Sequence, residues 1–241
     1  MKENLFMKWI RFSFCLLTVV SCSEEIGQIK DVNPETVYFD YSVNQNKDGE
    51  AEYIFRYRFA GANGTTLFLN PPSEIRFDGQ VIKSDSSNTM GVYYGYKLPA
   101  SQANGKHFID FKAYDGKHYK QNIEWHTVKV PGSLNAFLVR GVDMDLPLSG
   151  SLSGDHIQVL MSDTASLTDD VELDLPISNG QITIPGNTLT TLADGPVQIS
   201  LFRYFDIPMK SLTAEGGLFQ AYQDIALIDT KLGEAPPIAD Y

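Results

Sequence analysis

Apolar and polar residues alternate with a period of two along much of this chain. Tyr53, Phe55, Tyr57 and Phe59 fall on one side of an extended segment, and Ile54, Arg56 and Arg58 on the other. That is the pattern of a half-buried strand whose aromatic row belongs to a core. From His107 to Tyr114 the two sides carry Phe108 and Tyr114 against Ile109 and Phe111. Both faces are partly apolar, so this strand is expected to be central in its sheet. Turn signals separate such runs at Lys47-Asp48-Gly49, Asp78-Gly79, Asn104-Gly105 and Asp115-Gly116. Asp115-Gly116 predicts a hairpin that leads into Tyr119–Trp125. No stretch before residue 210 sustains a helical period.

Pro131-Gly132 interrupts the pattern at a distance from Thr36 close to the ~100 residues of one immunoglobulin-like module. Runs resume at Ala136–Val139, Ile157–Met161, Val171–Ile177, Gln181–Ile184 and Val197–Phe205. Val171, Leu173 and Leu175 alternate with Asp170, Glu172 and Asp174, giving one buried and one wet face. Asn179-Gly180 predicts the next hairpin turn. In the last segment, Leu218, Tyr222, Ile225 and Ala226 would also line one helical face, but Gly216-Gly217 is a poor helix start. A strand from Leu218 to Ile228 is therefore expected. The fold class that follows is all-β, two tandem immunoglobulin-like β-sandwich domains spanning 35–130 and 131–232. Residues 233–241 form an irregular tail.

Upstream, a basic opening with Lys2, Lys8 and Arg11 precedes an apolar stretch from Phe12 to Val20. A spanning helix needs about 20 mostly apolar residues, and Arg11 interrupts this one, so the segment reads as a leader. Its end, Val19-Val20-Ser21-Cys22, resembles the bacterial lipoprotein signal. The resemblance implies a signal peptide over 1–21 and a mature chain whose first residue, Cys22, carries a diacylglyceryl thioether and commonly an amide-linked acyl chain such as palmitate. Two chains suffice for stable anchoring where one does not. Ser23, Glu24 and Glu25 resemble the acidic export tag of surface lipoproteins of the Bacteroidota. That implies an outer-membrane address facing the medium, with the periplasmic face as the alternative. Residues 22–34 are expected to be a tether reaching about 40 Å when extended.

The charge changes the picture of partners. Loss of the leader removes three basic residues and one acidic, taking the formal charge from −11 to −13. Such a surface repels phosphate backbones and contains no basic stripe, which disfavours nucleic acid. Cys15 lies in the leader, so no cysteine pair remains for a disulfide.

Candidate chemistry is sparse. His107, His118, His126 and His156 lack the i, i+4 spacing of a zinc protease, and His118 with His126 is the pair considered for facing one another across a sheet. Gly150-Ser151-Leu152-Ser153-Gly154 puts leucine where a nucleophile elbow needs serine. Asn44-x-Asn46-x-Asp48-Gly49 echoes the start of a calcium loop, yet Phe55 replaces the closing Glu, and a hairpin loop explains it more simply. Calcium candidates are Asp143 with Asp145, and Asp169 with Asp170 and Glu172. No catalytic residue and no cofactor is assigned beyond the lipid. Val92-Tyr93-Tyr94-Gly95-Tyr96 offers an aromatic row in which Tyr94 and Tyr96 share a face, and together with Trp125 these are the candidate ligand-binding residues.

Resemblance to two-domain surface lipoproteins implies a non-enzymatic binding or assembly module whose partner is a glycan, a peptide or an envelope protein. The competing expectation is a tethered hydrolase using paired carboxylates on extracellular polysaccharide or protein.

Overall fold

The computed structural model describes residues 26–132, 137–150, 154–164 and 168–234. Cys22, Ser23, Glu24 and Glu25, the central residues of the Gly150–Gly154 loop and the tail beyond residue 234 lie outside the described residues. The first half contributes β1 (Gly27–Gln28), β2 (Val37–Gln45), β3 (Ala51–Phe59), β4 (Leu67–Phe68), β5 (Glu74–Phe77), β6 (Gln80–Val81), β7 (Ser84–Ser87) and β8 (Gly91–Leu98). A single helical turn, α1 (Ala100–Ala103), then leads to β9 (Gly105–Lys112) and β10 (His118–Trp125). The second half adds β11 (Phe137–Val139), β12 (Met144–Pro147), β13 (His156–Asp163), β14 (Val171–Pro176), β15 (Gln181–Ile184), β16 (Gly195–Asp206) and β17 (Gly217–Gly233). Among the described residues no helix is long and apolar enough to cross a membrane.

The chain is all-β, with its sheets layered as sandwiches. One nine-stranded sheet runs β14-β13-β16-β17-β2-β3-β8-β7, with β11 also beside β17. A four-stranded sheet, β10-β9-β5-β6, packs over the β2, β3 and β8 side of it, and the pair β12-β15 packs over the β13 and β16 side. The hairpin across Asp115-Gly116 forms as expected, with β9 central between β10 and β5.

Alternation decides which side chains fill the two cores. The first is aromatic: Phe39 sits edge-on to Tyr57, Phe111 and Tyr119 at 5.6, 5.3 and 5.2 Å between ring centres, a favoured geometry for aromatic pairs. The second is aliphatic, built on Leu146, Ile157, Val159, Met161, Ile184, Ile199 and Leu201 among others. Of the aromatic row in β3, Tyr53, Phe55 and Tyr57 are buried, whereas Phe59 is 42% exposed at the strand's end.

The long strand β17 serves both cores. Its first part, Gly217–Gln223, pairs in parallel with Phe39–Gln45 of β2, while Lys231–Gly233 pairs with β11. β16 accompanies it antiparallel along nearly its whole length. Phe219 and Ala221 thereby close the aromatic core from a position far beyond Pro131-Gly132, and Ile228 and Leu232 face the aliphatic one. The register between β16 and β17 slips at Leu201/Phe202, leaving Ile225 as an extra residue. A bulge of this kind bends a strand and shifts its side-chain phase, and here it lies where the strand passes from one core to the other.

A buried polar knot fills that crossing. Arg203 donates to Gln223 Oε1 at 2.8 Å, to Asp155 Oδ2 at 3.2 Å and to the His126 carbonyl. Gln223 accepts from Val128 N–H and donates back to its carbonyl. Trp125 Nε1 donates to Gln45 Oε1 at 3.1 Å, and Gln45 donates to Gly49 O and Thr127 Oγ1. Burial without partners would make each of these groups costly, so the network is what permits polar residues between two cores.

Two expectations are corrected. Residues 27–34 are not free tether: β1 pairs with β4, and Ile29 is buried in the aromatic core. Asn179-Gly180 does make a tight turn, with Ser178 and Gln181 exchanging hydrogen bonds and both turn residues at positive φ. The strands it joins nevertheless pair with different partners, β14 with β13 and β15 with β12, so it is a corner between sheets and not a hairpin.

Candidate functional site

The residues singled out for ligand contact do not form an exposed platform. Tyr94 is 4% exposed, its hydroxyl accepts the Leu69 N–H at 2.7 Å, and its ring packs edge-on to Tyr57. Burial raises its pKa to about 12, so it is a neutral structural phenol. Trp125 is 1% exposed and stacks on Phe205 in the knot between the cores. The strand alternation that places Tyr94 and Tyr96 on one face turns that face inward. Tyr96 is half-buried over Phe77 and donates to Gln80 Oε1 at 3.0 Å, so only its rim meets solvent.

Of the acidic and imidazole candidates, Asp143, Asp145, His107, His118 and His156 hold structural contacts. Asp143 Oδ1 accepts from Gly186 N–H at 2.8 Å and Asp145 Oδ1 from Thr183 Oγ1 at 2.6 Å, tying β12 to β15 and the turn after it. Asp169 and Asp170 are exposed in the approach to β14, in which Glu172 is also exposed. Among the described residues no three His, Cys, Asp or Glu side chains are grouped to hold a metal ion. His118 opens β10 and His126 follows its end, so they stand at opposite ends of one strand and do not face each other. His118 pairs with Asp110 at 2.8 Å, His107 with Asp78 at 2.8 Å and His156 with Asp174 at 3.2 Å. Asn46 closes the β2–β3 hairpin through its carboxamide, which accepts Glu50 N–H at 3.0 Å.

A site does emerge on the outer face of the large sheet. Register sets Tyr204 opposite Tyr222, Tyr222 opposite Asn44, Asn44 opposite Glu52 and Glu52 opposite Lys97. Cross-strand partners share a face, so one row of side chains crosses five strands, about 19 Å at 4.8 Å per gap. A groove of about 530 Å³ lies along it, lined by Asn44, Asn46, Glu50, Glu52, Lys97, Pro99, Tyr222 and Asp224 among others. Tyr222 is 37% exposed and Tyr204 49%. Phe202 packs 5.9 Å from Tyr222, and Gln220 donates to the Tyr204 hydroxyl, so the rings are held in place. Burial first, then the Asp224 charge, raises the pKa of Tyr222, and its hydroxyl stays protonated at neutral pH. The ammonium of Lys97 sits 3.5 Å from Glu52.

Sequence reasoning missed this site for a definable reason. Phe202 and Tyr204 alternate against Val197, Ile199 and Leu201, a readable signal that they point outward. The outward direction of Tyr222 and its proximity to Asn44 follow from parallel pairing with β2, about 180 residues away, and nothing local encodes that.

No protein-family model matches the chain, and no curated protein sequence does. Among solved structures the chain is similar to the fibronectin(III)-like modules of Clostridium thermocellum CbhA, at 12% identity and TM-score 0.25, over 85% of this chain and 99% of that one. It is similar to a Bacteroides ovatus glucan-utilization protein, SGBP-B, at 13% identity and TM-score 0.25, over 78% of this chain and 53% of that one. A tetra-tandem repeat from the extending region of a large adhesion protein matches at 11% identity and TM-score 0.27, over 81% of this chain and 50% of that one. These TM-scores are too low for the likeness to carry an inference about this chain.

Proposed function

We propose that this protein is a non-enzymatic binding module of the bacterial cell envelope, anchored in the outer membrane by lipid on Cys22, displayed at the cell surface, and engaging its partner through the groove beside Tyr222. The observation that carries the reading is the five-strand row itself, in which two exposed phenols, the Asn44 amide and the Glu52–Lys97 pair lie together on one sheet face. Its position suits a tethered protein. With β1 beginning at Gly27, the four residues from Ser23 to Ile26 can span at most about 13 Å, which keeps the β1 end near the lipid. β1 lies beside the Val37 and Phe59 ends of β2 and β3 through Thr66 and Leu67. The groove lies at the opposite, Gln45 end, about 26 Å along β2, so it points away from the anchor.

An open sheet face also suits binding better than turnover. Carboxylate pairs act as acid and nucleophile when a closed site excludes water and drives their pKa values apart. Glu50, Glu52 and Asp224 instead line a groove open to solvent.

Two measurements test the reading. Acyl labelling and protease shaving of intact cells should show a labelled, shaveable protein, with both signals lost in Cys22→Ala. Cosedimentation with isolated envelopes should be reduced by Tyr222→Ala combined with Glu52→Ala. Label or shaving signal persisting in Cys22→Ala refutes the anchor, and unchanged cosedimentation refutes the groove.

A further inference from the structure

Resting on the reading that the groove is a binding site, we infer that its ligand is an uncharged, extended oligosaccharide lying across the strands of the large sheet. The lining chemistry separates the ligand classes. An anionic ligand meets Glu50, Glu52 and Asp224, with Lys97 as the cation and its ammonium already beside Glu52. An apolar peptide would strip water from those carboxylates and from Asn44 and Asn46 without replacing their hydrogen bonds, leaving each covered group unpaired. A cationic peptide gains from the carboxylates but meets Lys97 at the end of the same row.

A neutral sugar chain satisfies each group present. Its hydroxyls donate to the carboxylates and pair with the amides, while the apolar C–H face of a ring rests on a phenol. The aromatic surface continues past the groove: Phe202 lies 5.9 Å from Tyr222, and Tyr204 lies directly across the strand pair from it. One ring would hold one sugar, whereas a row of about 19 Å with rings at one end and hydrogen-bonding groups along the rest fits an oligomer. Hydrogen bonds at an open surface contribute little each, so the stacking contact dominates affinity. Tyr222, at the centre of the aromatic group and the edge of the groove, is the residue on which binding depends.

The test uses the full chain in affinity electrophoresis and calorimetry. The probes are neutral hexasaccharides of β-1,4-linked glucose, xylose or mannose and of α-1,4-linked glucose, with poly-lysine as the cationic comparison. At least one sugar should bind, Tyr222→Ala should weaken it about 10-fold or more, and Tyr222→Phe should stay within about 3-fold because the ring face remains. Affinity should change less than about 2-fold between low and high salt, since no ion pair forms. Thermal melts of both variants establish that they are folded. The inference is overturned if no sugar binds, if sugar binding ignores Tyr222→Ala, or if poly-lysine alone binds and salt abolishes it. Groove-dependent cosedimentation with envelopes in the absence of sugar binding overturns the oligosaccharide and leaves the proposed function standing, whereas loss of both overturns both.

Discussion

Arg203→Met is the sharpest probe of how the two cores are joined. Arg203 is 4% exposed, and burial depresses its pKa against the opposing pull of Asp155. Methionine keeps most of the apolar stem and removes the charge and the donors. Gln223 Oε1 keeps the Val128 N–H at 3.2 Å, and Asp155 is partly open to water. The His126 carbonyl is the acceptor that loses its guanidinium partner, at about 1–3 kcal/mol. The guanidinium also lies 5.1 Å above Trp125 and 5.0 Å from Phe205, contacts that contribute about 0.5–2 kcal/mol when desolvated. Relief from burying a cation offsets part of this, leaving a loss of about 2–4 kcal/mol and a fall in Tm on the order of 10 °C for a chain of this size. Trp125 is the one tryptophan after Cys22, so urea unfolding followed by its fluorescence reads the knot directly. Far-UV circular dichroism should give the same midpoint, because β17 belongs to both cores. A loss below about 0.5 kcal/mol, or separated midpoints in the wild type, would refute the reasoning.

Two further outcomes follow from individual side chains. The Tyr53 hydroxyl is buried with no hydrogen-bond partner among the described residues, so Tyr53→Phe should stabilise by about 1 kcal/mol or more. Tyr41→Phe, which breaks the 3.0 Å contact with the Tyr57 hydroxyl, should destabilise, and chemical denaturation of the pair checks both signs. Glu35 accepts from Lys117 at 2.8 Å and from Ala214 N–H at 2.9 Å, and these bonds, Lys117 first, hold its carboxyl below the ordinary value of 4.5. A lowered folded pKa contributes stability that is complete above the ordinary value and is lost as pH falls through the folded one. The stability gap between wild type and Glu35→Gln should therefore be open near neutral pH and close in acid, and urea midpoints across that range would expose a gap independent of pH.

How much of this was legible in the sequence depends on the range of the interaction involved. Period-two alternation identifies β3 and β9 because each strand's two faces are set by residues within the strand itself. Asp115-Gly116 gives its hairpin through a three-residue loop, in which Gly116 at positive φ donates to the Ala113 carbonyl and Ala113 N–H donates to the Lys117 carbonyl. Asn179-Gly180 has similar local chemistry and turns more tightly, yet β14 finds β13 and β15 finds β12, since a turn fixes direction and packing chooses partners. Alternation places Tyr94 and Tyr96 on one face but does not say whether that face meets a core. The same ambiguity hides Tyr222, whose neighbours Asn44 and Glu52 arrive through a parallel ladder that no spacing rule encodes. Leu218, Tyr222, Ile225 and Ala226 even mimic a helical stripe, because the bulge at Ile225 breaks the strand's own phase.

The groove has its origin in the unequal lengths of two paired strands. β2 ends at Gln45, while β17 continues for ten residues past Gln223, its last partner there. A strand that outruns its neighbour leaves a step in the sheet, and the β2–β3 turn and Pro99 wall that step on the far side. Gln45, at the foot of the step, is tied to Trp125, Gly49 and Thr127. It links the hairpin that shapes the groove to the knot that joins the cores. The groove is thus rigid because the crossing between the cores is fully hydrogen-bonded, and a preformed site loses less entropy on binding than one built from loops. That is why residues of the second half, Tyr204 and Tyr222, supply the rings for a site whose amides and carboxylates come mostly from the first.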